Sequence, residues 1–333
     1  MTFEQIISDL KNKIYKPIYF LMGDEPYYID VITTFITQNV LSESEKTLNQ
    51  IILYGKDVTI PSIIDTAKRF PMMANHQVVI LKEAQDIKNF DKFIFYAENP
   101  LKSTILVINY KYRKLDIKRK LFKVLEKNGV LFESKKLYDD KIPNWINNYL
   151  KKQNCTMEPE AGMLLTEFLG NDLSKIANEL DKLIITLPVN NKKITAKHIE
   201  KNIGISKDYN NFELHKALTQ KNILKANRII NYFSQNQKNN PISWTISSLY
   251  YYFSKILAYH FIKDKTKQNV ASILKVNFYF VGDYEKAARA FSSKKVMEII
   301  SILREYDLKS KGIGNVSTPP GELLKELIFK ILH

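Results

Sequence analysis

The sequence predicts an α/β domain with a mostly parallel sheet over residues 1–140, followed by helices alone up to residue 333. In the first 140 residues, short apolar segments rich in β-branched residues alternate with amphipathic stretches. Such alternation is typical of parallel strands that are buried on both faces by connecting helices. Beyond residue 140 these segments cease, and only helical periodicity remains.

The elements of the first 140 residues can be assigned one by one. A helix-like stretch follows Gly23, and a second helix is capped by Thr59, carries Pro61 in its first turn and is ended by Pro71. Another helix is expected to start near Asp116 and to end at Asn128-Gly129. Five segments are predicted as strands: Ile18–Met22, Gln50–Tyr54, Val78–Leu81, Thr104–Ile108 and Val130–Phe132.

Helices are predicted throughout the remainder. The first ends at Gly170, the next is capped by Asn171 or Asp172 and closed by Pro188, and Thr195 caps a third, short one. A polar segment, residues 204–211, is expected to link this small helical unit to the last one. The last unit is predicted to contain helices at about 212–236, 241–262, 266–275, 281–291, 293–310 and 319–332.

The composition narrows the class of protein. Lys and Arg exceed Asp and Glu by 50 to 35, a net charge of +15, which suggests a nucleic-acid or other anionic partner. Abundant Lys, Asn and Ile also indicate AT-rich coding, which accounts for part of this charge. A single cysteine, Cys155, excludes an internal disulfide framework and a Cys-rich zinc module. No signal peptide and no membrane-spanning segment are predicted, so we expect a reducing cytoplasm.

The segment around Gly23 has the setting of a phosphate-binding loop but lacks its functional groups. A P-loop reads G-x-x-x-x-G-K-[ST]. Counted from Gly23, its second glycine falls on Tyr28, its lysine on Ile29 and its Ser/Thr on Asp30. At the end of the third strand, Lys82 stands where a magnesium-binding acid is expected. The two departures indicate a discarded ATP site, although these loops alone also allow an α/β fold of unrelated ancestry.

Two further segments could carry function. Phe70-Pro71-Met72-Met73 lies where a helix turns towards a strand, and its methionines could form an adaptable exposed plug or pack beneath the turn. The residues alone favour packing beneath the turn. Residues 110–123 hold seven basic side chains and one acid, either as a solvated helix face or as a phosphate contact. The five histidines and Cys155 show no metal-ligand spacing and no nucleophile pair.

The sequence as a whole resembles the delta subunit family of the bacterial DNA polymerase III clamp loader. Residues 19–25 are similar to the family's degenerate P-loop entry, and residues 70–79 to its clamp-binding turn and following strand. Residues 114–121 resemble its basic helix start, and residues 307–312 its C-terminal motif. The most specific match is residues 170–183, Gly-Asn-Asp-Leu-Ser-Lys-Ile-Ala-Asn-Glu-Leu-Asp-Lys-Leu, which resemble the family's helical signature almost residue for residue.

The resemblance implies three domains: an AAA+-like α/β module over 1–140, a helical lid over 141–207 and a helical collar over 208–333. It implies a subunit of a DNA-directed DNA polymerase holoenzyme, which is a nucleotidyltransferase complex. The subunit itself would not hydrolyse ATP and would have no cofactor, no metal and no catalytic residue. This subunit would bind the ring-shaped sliding clamp, the beta subunit, and open it for loading onto primed DNA. Its other partners would be the gamma/tau ATPase subunits and delta-prime, in a bacterial cytoplasm and away from membranes.

The resemblance also assigns site residues. Met72 and Met73 take the positions of two bulky apolar residues that enter a pocket on the clamp, with Phe70 and Pro71 shaping the turn. The family more often uses Leu-Phe or Phe-Phe there, so this chain lacks the aromatic anchor. The candidate DNA contacts are Lys114, Lys118, Arg119 and Lys120. On this basis we expect the methionines to form the plug that contacts the clamp, which reverses the expectation from the residues alone.

Four other functions remain as alternatives. A delta-prime-like or other non-catalytic AAA+ clamp-loader subunit is the nearest, and a clamp-loader ATPase would carry an intact lysine in place of Ile29. Both usually carry a cysteine cluster, which Cys155 alone cannot supply. An enzyme acting on DNA would need grouped carboxylates at strand ends, against which Lys82 argues. A plain basic DNA-binding protein would bind DNA without other subunits and with steep salt dependence.

Overall fold

The computed structural model describes residues 1–138, 141–188, 192–203 and 208–333. The chain divides into two compact units, Met1–Tyr138 and Asp139–His333. The further division of the second unit into a lid and a collar at residue 207 stays a prediction. Of the predicted linker 204–211, residues 204–207 lie outside the described part of the chain.

The first unit contains a five-stranded sheet in which every pair of neighbouring strands is parallel. The strands are β1 (Ile18–Gly23), β2 (Gln50–Tyr54), β3 (Gln77–Lys82), β4 (Thr104–Lys111) and β5 (Val130–Ser134), in the order β2-β3-β4-β1-β5. Each predicted strand lies within an observed one, which confirms the predicted α/β class. The register places Gly23 opposite Lys111 on one side and opposite Ser134 on the other.

Helices cover both faces of this sheet. They are α1 (Phe3–Lys11), α2 (Pro26–Asn39), α3 (Glu43–Asn49), α4 (Ile60–Ala67), α5 (Ile94–Ala97) and α6 (Lys120–Asn128). Ile18 and Phe20 of β1 pack on the side of α4, α5 and α6, whereas Tyr19 and Leu21 pack on the side of α1 and α2. Successive residues of a strand point to opposite faces, so a continuous apolar segment fills both layers at once.

Of two predicted helix starts in this unit, one is confirmed and one is wrong. Thr59 caps α4 in a capping box with Ser62, as expected. The helix predicted to start near Asp116 begins instead at Lys120. Asp116 forms a turn, because its side-chain Oδ1 accepts the N–H of Lys118 at 2.9 Å and its carbonyl accepts the N–H of Arg119 at 3.0 Å. A side chain that bonds local backbone groups competes with helix formation, so Lys118 and Arg119 precede the helix.

The second unit is mostly helical. Its elements are α7 (Ile142–Lys152), β6 (Thr156–Met157), α8 (Pro159–Leu169), α9 (Leu173–Thr186), β7 (Lys193–Ile194), α10 (Ala196–Ile203), α11 (Asn211–Thr219), α12 (Ile223–Gln235), α13 (Ile242–Phe261), α14 (Lys267–Leu274), α15 (Val281–Ala290), α16 (Ser293–Ser310) and α17 (Pro320–Leu332). Strands β6 and β7 pair in parallel, whereas no strand was expected beyond residue 140. Two residues are too few to show a period-two pattern. None of the described helices combines the length and apolar character that crossing a bilayer requires.

The single helix expected over 212–236 is two helices, α11 and α12. Lys221 adopts a left-handed backbone conformation with φ of +51° between them. Asn222 then accepts the backbone N–H of Lys225 at 3.0 Å and caps α12. The apolar periodicity continues across this break, since buried residues of both helices belong to one core, which also contains Phe253 of α13. Periodicity alone therefore could not reveal the break.

The caps around α9 were predicted more closely. Gly170 ends α8 with φ of +63°, a conformation that glycine adopts without steric cost. Of the two residues proposed as the cap of α9, Asp172 is the one that accepts the backbone N–H of Lys175, at 3.1 Å. Thr195 lies directly before α10 and its side-chain hydroxyl accepts the backbone N–H of His198 at 3.4 Å.

Candidate functional site

The loop after β1 is closed by its own backbone and side chains. Gly23 has φ of +128°, and a Cβ built there would lie 2.1 Å from the carbonyl oxygen of Ser134. Its N–H donates to the carbonyl of Arg113 at 3.1 Å, and its carbonyl accepts the N–H of Tyr112 at 2.8 Å. A P-loop directs backbone N–H groups at phosphate. The N–H of Gly23 is already used within the protein.

A carboxylate lies at the N-terminus of α2, where a phosphate would otherwise bind. The side chain of Glu25 is buried, at 3% exposure, and its Oε1 accepts the N–H of Tyr27 at 3.1 Å. Pro26, the first residue of α2, has no N–H to offer. The backbone of Glu25 is held in turn by Ser134, whose Oγ donates to its carbonyl at 2.7 Å. This negative cap uses the favourable end of the helix dipole and disfavours a second anion.

The residues in the remaining P-loop positions have structural roles. Ile29 is fully buried beneath the sheet, and Tyr28 packs against Phe3 with ring centroids 4.8 Å apart. Asp30 forms an ion pair with Lys111, whose Nζ lies 2.6 Å from its Oδ1. A carboxylate in the magnesium position is therefore bound to a lysine of the neighbouring strand.

Lys82 ends β3, which β4 separates from β1. Its Nζ lies 5.8 Å from the ring centroid of Tyr54, at the end of the edge strand β2. Its carbonyl accepts the N–H of Gly55 at 2.8 Å. The strand end that would need an acid for magnesium presents a cation instead, and a cation repels a divalent metal. Among the described residues, no group of three or more His, Cys, Asp or Glu could hold a metal ion.

The segment after α4 projects apolar side chains into solvent. Met73 is 97% exposed, Met72 60% and Phe70 75%, whereas Pro71 is partly buried. The backbone of Met73 is left-handed, with φ of +53°. These side chains do not pack beneath the turn, so the expectation from the residues alone is wrong. An apolar side chain this exposed gains nothing from folding and is available for contact with a partner.

Asn49 is a residue of this turn that sequence reasoning missed. It is the last residue of α3, is 1% exposed, and bonds both backbone polar groups of Met72. Its Oδ1 accepts the N–H of Met72 at 2.6 Å, and its Nδ2 donates to the Met72 carbonyl at 2.9 Å. No local pattern signals a contact between residues 23 positions apart.

The candidate DNA-binding residues are largely paired with carboxylates. Three of them form ion pairs: Lys114 with Glu133 at 2.9 Å and Asp24 at 3.3 Å, Arg119 with Asp91 at 3.0 Å, and Lys120 with Glu98 at 2.9 Å. Hydrogen bonds to Glu133 and Asp24 raise the pKa of Lys114, so it stays charged. Lys118 is exposed in the turn before α6. The surface therefore alternates in sign and is less positive than the sequence suggests.

The second unit contains a cavity of about 370 Å³ beside His215. The imidazole lies flat on the ring of Tyr252, with centroids 4.2 Å apart and planes 5° apart. Burial lowers the pKa of His215 to about 3, so the ring is neutral at physiological pH. His215 is partly buried and lines the cavity together with Phe212, Phe280 and Tyr284.

Comparisons with known proteins show what the chain is similar to. Residues 19–135 match the family described as DNA polymerase III, delta subunit. The chain is 26% identical over 324 residues to DNA polymerase III subunit delta of Bacillus subtilis strain 168, covering 93% of this chain and 92% of that protein. The solved structure of the Bacillus subtilis DNA clamp loader delta protein aligns over 99% of both chains, at 24% identity with a TM-score of 0.56.

The three matches cover different extents of the chain. The solved structure shows that the fold is shared along the whole chain. The family match covers the α/β unit, which contains both the closed loop at Gly23 and the exposed turn at Met72 and Met73. The curated relative extends the sequence similarity through the helical remainder. The chain is therefore similar to DNA polymerase III delta subunits along nearly its whole length.

Proposed function

We propose that this chain binds a ring-shaped sliding clamp, the beta subunit, through Met72 and Met73 and opens the ring so that it can be loaded onto primed DNA. The observation that carries the proposal is the exposure of these two adjacent methionines on a turn held from below by Asn49. Phe70 and Pro71 shape the turn. Methionine is unbranched and polarizable, so it fills an irregular apolar pocket without an aromatic anchor.

Burial of Met72 and Met73 against a clamp would contribute substantially to the free energy of binding. Full burial of a methionine side chain contributes roughly 1.5–3 kcal/mol, so two contribute roughly 3–6 kcal/mol before the cost of association is subtracted. Met73 is 97% exposed and Met72 60%, so most of this gain has not been used in folding. The ring opens because the chain binds the open clamp more tightly than the closed one, and the difference in affinity shifts the population.

The chain does this without hydrolysing ATP. Its AAA+-like loop is filled by the Glu25 carboxylate, Ile29 is buried in the lysine position, and Asp30 is paired with Lys111. Energy is supplied by the gamma/tau ATPase subunits, with which the helical residues 208–333 assemble together with delta-prime. Primed DNA lies within that assembly in the bacterial cytoplasm, and the exposed Lys118 is the strongest of the candidate DNA contacts.

The clamp-binding role is tested by pull-down of purified clamp with the Met72→Ser/Met73→Ser double variant. We expect clamp binding to be lost while the fold is unchanged, since both side chains are exposed. Met297→Ser, at a methionine of α16 that is 52% exposed, is the matched control and should bind as the unaltered chain does. Undiminished binding by the double variant would refute the assignment.

The absence of ATP binding is tested separately by titration calorimetry with Mg-ATP on the isolated chain. No saturable heat is expected up to millimolar nucleotide, because the helix N-terminus already holds a carboxylate. Specific binding in the micromolar range would contradict the reading of the Gly23 loop as a discarded site.

A further inference from the structure

Asn49 joins the end of α3 to a turn that lies 23 residues further along the chain. Besides its two bonds to Met72, its Nδ2 donates to the carbonyl of Glu45 at 3.1 Å, one turn earlier in the same helix. The side chain is thereby fixed in orientation and almost completely removed from solvent. A buried amide whose oxygen and nitrogen are both used is held in one rotamer.

The contact is specific to asparagine. The amide pairs with the N–H and the carbonyl of one residue, as a neighbouring strand would. Aspartate could accept the N–H but could not donate to the carbonyl, and its charge would repel that oxygen. Alanine offers neither group, and glutamine is one methylene longer.

The turn needs this support because its own conformation is unfavourable. Met73 has φ of +53°, a left-handed conformation that is sterically disfavoured for residues other than glycine. Its side chain, 97% exposed, does not compensate by packing. The two hydrogen bonds from Asn49 act on Met72, the residue directly before the disfavoured one. Both hydrogen bonds come from a side chain outside the turn.

We propose that Asn49 is a positioning residue that fixes the Met72–Met73 turn in its clamp-binding conformation before the clamp arrives. This inference rests on the proposed function, because it assigns Asn49 to the same surface. A turn that is already ordered loses less conformational entropy on binding, so preorganisation raises affinity without adding a contact to the partner. Asn49 itself remains buried and does not touch the clamp.

The test compares two buried asparagines of the same unit. Asn49→Ala should weaken the equilibrium affinity for purified clamp by roughly tenfold. This is the effect expected when the turn loses a stabilisation equal to about one net hydrogen bond. Asn109→Ala is the matched control, since Asn109 is 2% exposed on β4 and its Oδ1 accepts from Thr33 Oγ1 at 2.9 Å. The control should change affinity by less than twofold. Equal losses in the two variants would mean a general effect on the fold and would overturn the proposal.

A double-mutant cycle separates this inference from the function on which it rests. In the Met72→Ser/Met73→Ser background, Asn49→Ala should cause no additional loss of the residual affinity. If the methionine variant binds the clamp as the unaltered chain does, the proposed function fails. If it loses binding while Asn49→Ala behaves like Asn109→Ala, only the positioning role fails.

The order of the turn before binding can also be measured on the unaltered chain, so this test does not depend on the folding of any variant. In native-state hydrogen exchange without clamp, the N–H of Met72 should be protected at least tenfold relative to an unstructured peptide, because the buried Asn49 side chain holds it. Free exchange at this amide would show that the turn is not ordered before binding and would refute the proposal.

Discussion

Acidification from pH 7 to pH 5 should destabilise the second unit through His215. The folded protein keeps this imidazole neutral, because it is enclosed beside the ring of Tyr252 and burial lowers its pKa to about 3 from an ordinary 6.5. Its Nε2 lies within hydrogen-bonding distance of Ser248 Oγ, at 3.3 Å. The charged side chains that line the adjoining cavity are Lys216, Asp283 and Lys286.

The sign follows from proton binding in the two states. Below pH 6.5 the unfolded chain protonates this imidazole, whereas the folded chain does not until the pH approaches about 3. The contribution to stability is therefore fully present above pH 6.5 and is lost as the pH falls from there towards 3. Between pH 7 and pH 5 the loss is about 2 kcal/mol, at 1.36 kcal/mol for each unit below the unfolded pKa. That is a substantial fraction of the roughly 5–15 kcal/mol that stabilises a typical domain.

Urea unfolding followed by tryptophan fluorescence measures this effect. Both tryptophans, Trp145 and Trp244, lie in the second unit, so their emission follows that unit. His215→Phe is the comparison, since it keeps a flat ring on Tyr252 and cannot be protonated. The free energy of unfolding should fall by about 2 kcal/mol more between pH 7 and pH 5 in the unaltered chain than in His215→Phe. An equal pH dependence in the two proteins would refute the argument.

Three backbone and capping predictions follow from the same structure. Gly23→Ala should lower the free energy of unfolding by about 3 kcal/mol or more, because its Cβ would meet the Ser134 carbonyl, whereas Gly170→Ala, with open space around it, should cost only about 1 kcal/mol; equal costs in urea titrations followed by circular dichroism would contradict this. Glu25→Ala should cost about 1 kcal/mol in the same assay, and no loss would show that the carboxylate does not cap α2. Lys221→Gly should instead be neutral or stabilising by up to about 1 kcal/mol, because it relieves a left-handed backbone, and a clear loss of stability would speak against that conformation.

The candidate clamp-binding surface could be located from the sequence only in part. The residues alone placed Met72 and Met73 at a turn, the family resemblance assigned them to clamp contact, and the structure shows both exposed. Without the resemblance, the residues favoured packing beneath the turn, since an apolar pair is more often buried than exposed. Asn49 could not be found at all, because its role depends on two segments meeting in space.

The charges show a similar limit. The sequence places seven basic residues and only one acid in 110–123. Folding brings Asp24 and Glu133 to Lys114, and Asp91 to Arg119. Charge density along the chain therefore overstated the positive potential of the folded surface, because ion pairs form between groups that are distant in sequence.

The amino-acid sequence by itself determined the parallel sheet, most helix limits and the loss of the phosphate-binding groups at Tyr28, Ile29 and Asp30. These features depend on apolar periodicity, on capping residues and on the chemical identity of single positions, all of which are local. Only the tertiary structure decided that Glu25 occupies the N-terminus of α2 and that Asn49 holds the Met72–Met73 turn. Backbone groups left free by a turn or a helix end must find partners wherever the fold supplies them, and that choice is made by packing in three dimensions.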